Sequence, residues 1–188
     1  MMRRRGLIAA GSAFVLGILG LRRVTRAAQV FPPSASEDFE ARCIRCLRCA
    51  EACPVDAITV GAKFVVPGSE LPVIEAQTRA CILCMKCTEV CPTGALSPLS
   101  AELVDIRENV KMGLAVLDRT ACLTHSRKAQ CRLCYEVCPL SGEAIILSGL
   151  GQGPAIMASA CVGCGRCAEA CPTRARAITI LPLRGPRT

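Results

Sequence analysis

The chain has 188 residues, among them 16 cysteines but only one histidine, one tyrosine, four phenylalanines and no tryptophan. Aromatics supply much of an ordinary enzyme core's buried area, so this composition argues against such a core. It also excludes collagen-like, coiled-coil and multi-span membrane classes, which need repeats or several long apolar runs. The length allows one or two small domains, and something other than apolar burial must hold them together; the cysteines are the candidate. The formal net charge of +8 is concentrated in residues 1–28, where Arg3, Arg4, Arg5, Arg22, Arg23 and Arg26 meet no acid. The remainder is nearly balanced and has no basic stripe interleaved with aromatics, which excludes the usual nucleic-acid signature.

The first element, residues 1–28, reads as an export or anchoring segment. Met1–Arg5 is positive, and Gly6–Leu21 carries no charge. At about 1.5 Å per residue that run spans about 24 Å, long for a signal core and short of a hydrocarbon layer of about 30 Å. Arg4-Arg5 followed by Gly6-Leu7-Ile8 resembles a twin-arginine signal, with Arg3 and Ala9 departing from the usual pattern. Arg22, Arg23 and Arg26 resemble a stop-transfer flank, while Thr25-Arg26-Ala27 and Ser34-Ala35-Ser36 are weak cleavage sites, so removal and anchoring both stay open. Residues 29–36, containing Phe31-Pro32-Pro33-Ser34-Ala35-Ser36, read as a linker.

Residues 37–182 then hold an internal repeat, with 183–188 as a tail. Three motifs are regular: Cys43, Cys46, Cys49, Cys53-Pro54; Cys81, Cys84, Cys87, Cys91-Pro92; and Cys161, Cys164, Cys167, Cys171-Pro172. The third in order is stretched: Cys122, Cys131, Cys134, Cys138-Pro139. Apolar stretches flank them: Phe64-Val65-Val66, Val73-Ile74, Leu114–Leu117 and Ala155–Met157 before, and Ala57–Val60, Ala144–Leu147 and Ala177–Ile180 after. Three thiolates two residues apart wrap one face of an iron–sulfur cubane. A fourth, ahead of a proline, faces away and reaches the iron of another cluster. Sixteen such ligands imply four [4Fe–4S] clusters. Structural zinc pairs two C-x2-C units across a longer spacer, and disulfides within this spacing have poor geometry, so both rivals fit less well.

The remaining features have bland readings. Ser100–Met112 reads as an amphipathic helix, with Leu99, Leu103, Ile106 and Val110 on one face and Gly113 ending it. His125, in the stretched loop, reads as solvent-facing, and Tyr135 as packing beside Cys134. Arg45, Arg48, Arg132 and Arg166 stand next to ligands, either raising cluster potentials or keeping the surface soluble. No nucleophile–base set, phosphate loop, dinucleotide fingerprint or radical signature is present, so an independent enzyme is not expected.

The segments CPVDAITV (Cys53–Val60), CPTGAL (Cys91–Leu96) and ACVGCGRCAEACPTRARAITI (Ala160–Ile180) resemble bacterial two-cluster ferredoxins. With the twin-arginine-like start and the stretched third motif, the chain resembles the exported polyferredoxin accessory proteins of periplasmic nitrate reduction and methylamine utilisation. It is more distantly similar to four-cluster subunits of the dimethyl sulfoxide reductase family, from which the position of the insertion before Cys131 departs. The resemblance implies an α+β fold of two bacterial-ferredoxin-like modules, pseudo-twofold, with short β-hairpins and short helices, loop-rich and stabilised by clusters. It also implies electron transfer between a membrane quinol-oxidising partner and a periplasmic oxidoreductase; an assembly or maturation factor for an exported redox enzyme is the alternative. Clusters are built in the cytoplasm, so a periplasmic location requires export in the folded state, and a cytoplasmic anchored protein is the competing location. Spacing leaves the pairing open: sequential pairing makes two tandem ferredoxins, while the reductase resemblance implies nesting, motif one with four and two with three. Nesting is the expectation carried forward.

Overall fold

The computed structural model describes residues 29–61, 71–149, 153–173 and 176–183. Residues 1–28, the Phe64-Val65-Val66 stretch and all but Leu183 of the tail fall outside them. Every described element is short. In chain order they are β1 (Gln29–Val30), α1 (Phe39–Arg42), α2 (Arg48–Glu51), β2 (Ile58–Val60), β3 (Pro72–Glu75), α3 (Lys86–Glu89) and α4 (Leu103–Asn109). Then follow β4 (Gly113–Leu117), α5 (Leu133–Glu136), β5 (Ile145–Ser148), β6 (Gly153–Ile156), α6 (Arg166–Glu169) and β7 (Ile178–Pro182). Helices of one turn cannot repay the cost of their own nucleation, so they exist by virtue of what they pack on and bind.

Two modules follow from how the strands pair. In the second, β4 runs antiparallel to β7 from Gly113↔Pro182 to Leu117↔Ile178, and β5 runs antiparallel to β6 from Ile145↔Ile156 to Ser148↔Gly153. The strand before the third motif therefore closes on the strand after the fourth, and the two middle strands form a hairpin. In the first module β2 and β3 make the same middle hairpin, from Ile58↔Ile74 to Val60↔Pro72. Its outer pair is reduced to one antiparallel bridge, Ala35↔Leu96, held by Ser36 N–H to Ala95 O and Ser97 N–H to Ser34 O. This matches the weak strand character of Glu37–Ala41, which instead holds α1.

The linker expected over 29–36 is part of this fold. Val30 sits opposite Ile74 as β1 adds an edge to β3, and Val30, Pro32 and Pro33 are fully buried. Phe31 and Phe39 stack at a ring-centroid distance of 4.8 Å, tilted by 48°. Prolines that look like spacer residues in sequence here line an apolar seat; burying Phe39 alone is worth about 1.5–3 kcal/mol. The helix expected over 100–112 is shorter, because Val110 already has extended backbone at the end of α4. Ile106 and Val110 are buried as anticipated, and Met112 with them, but Leu103 is exposed, and Gly113 opens β4 rather than merely ending a helix.

One apolar cluster runs through both modules, with Ile74, Met85 and Leu96 from the first and Ile178 and Ile180 from the second among its fully buried members. With few aromatics to fill it, this core takes in the thiols themselves, Cys49, Cys81, Cys87, Cys134, Cys164 and Cys167 among its buried members.

Candidate cluster-binding sites

The loops that carry the cysteines share a backbone device. The residues on either side of each middle cysteine are left-handed: Arg45 and Leu47 at φ 59° and 60°, Leu83 and Met85 at 59° and 57°, Gly163 and Gly165 at 75° and 91°. Two such residues curl the chain tightly, and the residue at the second position starts the one-turn helix that carries the third cysteine. Non-glycine residues hold this conformation at a cost of about 1–2 kcal/mol each. Glycine is required in the fourth motif for a second reason. A Cβ on Gly165 would lie 2.2 Å from Ala76 O, and one on Gly163 would lie 2.3 Å from Gly113 N.

The stretched third motif reaches a comparable end by another route. The Thr124 hydroxyl donates to Cys131 O at 2.8 Å and accepts from Cys131 N–H at 2.9 Å. This pair of hydrogen bonds closes the neck of an excursion over residues 125–130, so that Cys131 follows Thr124 in space. The x8 spacing is thereby returned to an effective x2. His125 is not simply solvent-facing as expected: it is half-buried, its Nε2 is 2.9 Å from Pro154 O, and its ring packs against Gly153.

Two cavities show where the thiols converge. One is lined by Cys161, Cys164 and Cys167 together with Cys138. The other is lined by Cys122, Cys131 and Cys134 together with Cys171. Each therefore takes three thiols from one motif and the fourth from the other. In the first module the negative charge that Cys53 would carry reaches both Cys81 and Cys87, placing the fourth cysteine of motif one beside motif two. The nested pairing is overturned: motif one packs with two, and three with four. The physical reason is local, since β2–β3 and β5–β6 ladder the strand after one motif to the strand before the next.

Burial and crowding act together on these thiols. Cys87 is pushed up to about 12, first by burial and then by the like charges of Cys81, Cys49, Cys84 and Cys53. Burial likewise pushes Cys81 to about 12 and Cys134 to about 11, and Cys167 is raised further by burial and by four neighbouring cysteines. Thiolates gathered this closely in an apolar lining need a cationic group to balance them. Among the described residues no three Cys, His, Asp or Glu side chains stand close enough to hold a single metal ion, and all sixteen thiols are free of disulfides. The four thiols that converge on each cavity of the second module are the donor set of a multi-iron cluster held by thiolates alone.

Hydrogen bonds to sulfur distinguish the four fourth cysteines. Cys53 Sγ accepts from Ala57 N–H at 3.3 Å, and Cys91 Sγ from Leu96 N–H at 3.4 Å. Cys171 Sγ lies 3.2 Å from the Thr173 hydroxyl and Cys91 Sγ 3.8 Å from that of Thr93; with backbone amides these hold both thiols below the usual range. Cys138, followed by Leu140, is instead raised by burial. Thr93 and Thr173 escaped the sequence reading, although the tripeptide Cys-Pro-Thr occurs only in motifs two and four. Of the ligand-adjacent arginines, the charge of Arg166 offsets a small part of the rise that burial imposes on Cys138 and Cys164, whereas Arg45, Arg48 and Arg132 are exposed and Arg132 lies 3.9 Å from Glu136. Tyr135 packs on the core, as expected.

Comparison with known proteins agrees with this chemistry. Residues 42–95 match a 4Fe-4S dicluster domain, 80–141 a 4Fe-4S double cluster binding domain, and 154–177 a 4Fe-4S binding domain. The methylamine utilization ferredoxin-type protein MauM of Methylobacillus flagellatus is 37% identical, over 97% of this chain and 80% of its own length. The ferredoxin-type protein NapG of Haemophilus influenzae is 35% identical over 93% of this chain and 66% of its own length. NapG of Escherichia coli is 34% identical over 93% and 81%. With its tandem ferredoxin modules and this degree of identity along most of its length, the chain belongs to the MauM and NapG family of ferredoxin-type 4Fe–4S electron-transfer proteins.

Proposed function

We propose that the protein carries electrons through four [4Fe–4S] clusters between a membrane quinol-oxidising partner and a periplasmic oxidoreductase. The observation that carries this reading is the gathering of four cysteines, three from one motif and one from its partner, around each cavity of the second module. Applied to both modules, the rule assigns Cys43, Cys46, Cys49 and Cys91 to one site and Cys81, Cys84, Cys87 and Cys53 to the next. It assigns Cys122, Cys131, Cys134 and Cys171 to a third, and Cys161, Cys164, Cys167 and Cys138 to the fourth. Each module is then two cysteine halves related by a pseudo-twofold axis. Bound there, clusters supply one-electron transfer; the chain's own part is to hold them, bury them and donate amides and hydroxyls to their sulfur ligands.

All sixteen thiols are committed to ligation, which leaves no free thiol and no open iron position for a substrate. The Arg4-Arg5 pair ahead of an uncharged run supports export of the folded, loaded chain to the periplasm, with or without retention of residues 1–28 at the membrane. Relatives named for methylamine utilization support a role in a respiratory or oxidative electron path. Anaerobically purified protein is expected to contain about 16 iron and about 16 sulfide per chain. A folded preparation with zinc and no sulfide overturns the cluster reading. Replacing Arg4 and Arg5 by lysine is expected to leave the loaded protein in the cytoplasm, and arrival in the periplasm overturns the export reading.

A further inference from the structure

The contacts between modules order the sites in space. Cys81 N–H donates to Cys164 O at 2.9 Å, and Gly165 lies flush against Ala76, so the loop of motif two abuts the loop of motif four. The sites built on motifs two and four are therefore the inner pair, and those built on motifs one and three are the outer ends. The ends differ in charge. Around motif one, from Glu37 to Asp56, Arg42, Arg45 and Arg48 are interleaved with Glu37, Asp38, Glu40, Glu51 and Asp56. Around motif three no acid occurs from Arg119 to Tyr135, and Arg119, Arg127, Lys128 and Arg132 are all exposed. Of the two flanking acids, Asp118 is engaged by Thr120 and Ala121 N–H, and Glu136 faces Arg132.

We propose that the excursion over residues 125–130 is the docking surface through which the motif-three end meets an acidic redox protein. The excursion exists only in this motif, and it adds Arg127 and Lys128 four and three residues before the ligand Cys131. It is held in one shape: Thr124 closes its neck, Lys128 N–H donates to Leu123 O at 2.9 Å, and His125 fastens it to Pro154. Arg127 takes a left-handed φ of 58° within it. A loop that merely lengthened the chain has no need of a fastened frame, whereas an electron port needs cationic groups fixed close to the ligand set. Opposite charge on the partner then steers the encounter and brings the two redox groups near each other. This rests on the four-cluster reading above.

The test uses the full chain with cytochrome b5, whose haem edge is acidic, as probe and cytochrome c, whose haem edge is basic, as control. Dithionite-reduced protein passes one electron to each oxidised haem, and the rate is followed by stopped flow. The affinity of the oxidised chain for each haem protein is measured separately by titration calorimetry, which needs no electron transfer. The double variant Arg127→Glu/Lys128→Glu is expected to slow reduction of cytochrome b5 about tenfold at low salt and to weaken its binding, with the difference lost at high salt. Arg42→Glu/Arg79→Glu, exposed side chains at the motif-one end that lie between no two ligands, is expected to change neither. Iron and sulfide counts on every variant separate failure of the port from failure of the cluster reading. Unchanged rate and affinity in the loop variant overturn the proposal, as does an equal loss from the motif-one variant. So does a loss confined to binding of phosphatidylglycerol vesicles.

Discussion

In the second module the strand before its first cysteine run pairs along its whole length with the strand after its last, Gly113–Leu117 against Ile178–Pro182. The corresponding edge of the first module is one bridge, Ala35 to Leu96. The first module compensates with β1 on the edge of β3 and with Pro32, Pro33 and Phe39 beneath it, elements drawn from a stretch that looks like a spacer. Its cysteine loop is also the more open: Cys46 is exposed, whereas no cysteine of the second module is. The same ligand spacing is thus carried by two frames, one a backbone ladder and one a patch of apolar packing. Ladder hydrogen bonds persist without a ligand more readily than a single bridge does, so the two frames should differ in how far they depend on what they bind.

The largest effect is expected when iron is removed. Cluster ligation supplies much of the folding free energy of small metal domains, and four-residue helices have no independent stability. Chelation is expected to abolish cooperative unfolding of the chain. Hydrogen exchange should then leave slow amides only in β4 and β7, with the first module fully exchanging. An apo-protein with native circular dichroism and a sharp melt contradicts the argument, and equal residual protection in both modules removes the distinction between the frames.

The next largest effect concerns the seam. Gly165→Ala puts a Cβ 2.2 Å from Ala76 O at a position with φ of 91°, so backbone has to move and strain is added. A loss of about 2–4 kcal/mol is expected in denaturant unfolding of the loaded protein. The equivalent residue of motif one is Leu47, which holds the same left-handed turn without glycine, and Leu47→Gly is expected to cost less than about 1 kcal/mol. Equal effects at the two positions would show that the turn, and not the contact between modules, sets the requirement.

This contrast also marks what sequence can and cannot convey. The sixteen thiols, the thiolate chemistry and the strands at Val73-Ile74, Leu114–Leu117 and Ala177–Ile180 were legible because ligand spacing and apolar runs are local. Pairing was not, since each fourth cysteine precedes a proline and nothing beside it names a partner motif; it follows from which strands form hairpins, a property of β2–β3 and β5–β6. Pro32-Pro33 misled because prolines mark spacers by composition, whereas here both are fully buried, directly after the Phe31 that stacks on Phe39. The neck at Thr124 was hidden for a different reason: the two residues it joins are seven apart in sequence, and a hydroxyl's partner has no local signature.

Sulfur hydrogen bonding offers a sharper comparison, between ends rather than modules. Under the ligand assignment above, Cys91 and Cys171 serve the outer sites, and each has a threonine hydroxyl at hand; Cys53 and Cys138, serving the inner sites, are followed by Val55 and Leu140. Donors to sulfur favour the more negative, reduced state, so they raise a potential. Thr173→Val is expected to lower the potential of one site in a titration followed by electron paramagnetic resonance, at about 1 kcal/mol or less for one hydrogen bond. Thr93→Val, with its longer 3.8 Å contact, is expected to shift less. A rise in either potential, or a larger shift from Thr93→Val, rejects the assignment of these hydroxyls as donors.

The smallest effect is expected at the ion pair between α4 and the second module. Arg107 reaches Glu143 Oε1 at 2.7 Å, a short contact that invites a large role, yet both side chains are close to half exposed. Water and salt screen such a pair, and ordering two long side chains offsets part of the gain, so Arg107→Ala is expected to cost under about 1 kcal/mol. One position earlier on α4, Ile106 is fully buried, and Ile106→Ala is expected to cost about 2–5 kcal/mol through lost apolar contact and the cavity left behind. Denaturant unfolding of the two loaded variants at low and high salt separates the contributions. If Arg107→Ala costs as much as Ile106→Ala, and the cost shrinks with salt, then charge rather than packing seats α4, and the second module's frame is less self-sufficient than its β4–β7 ladder implies.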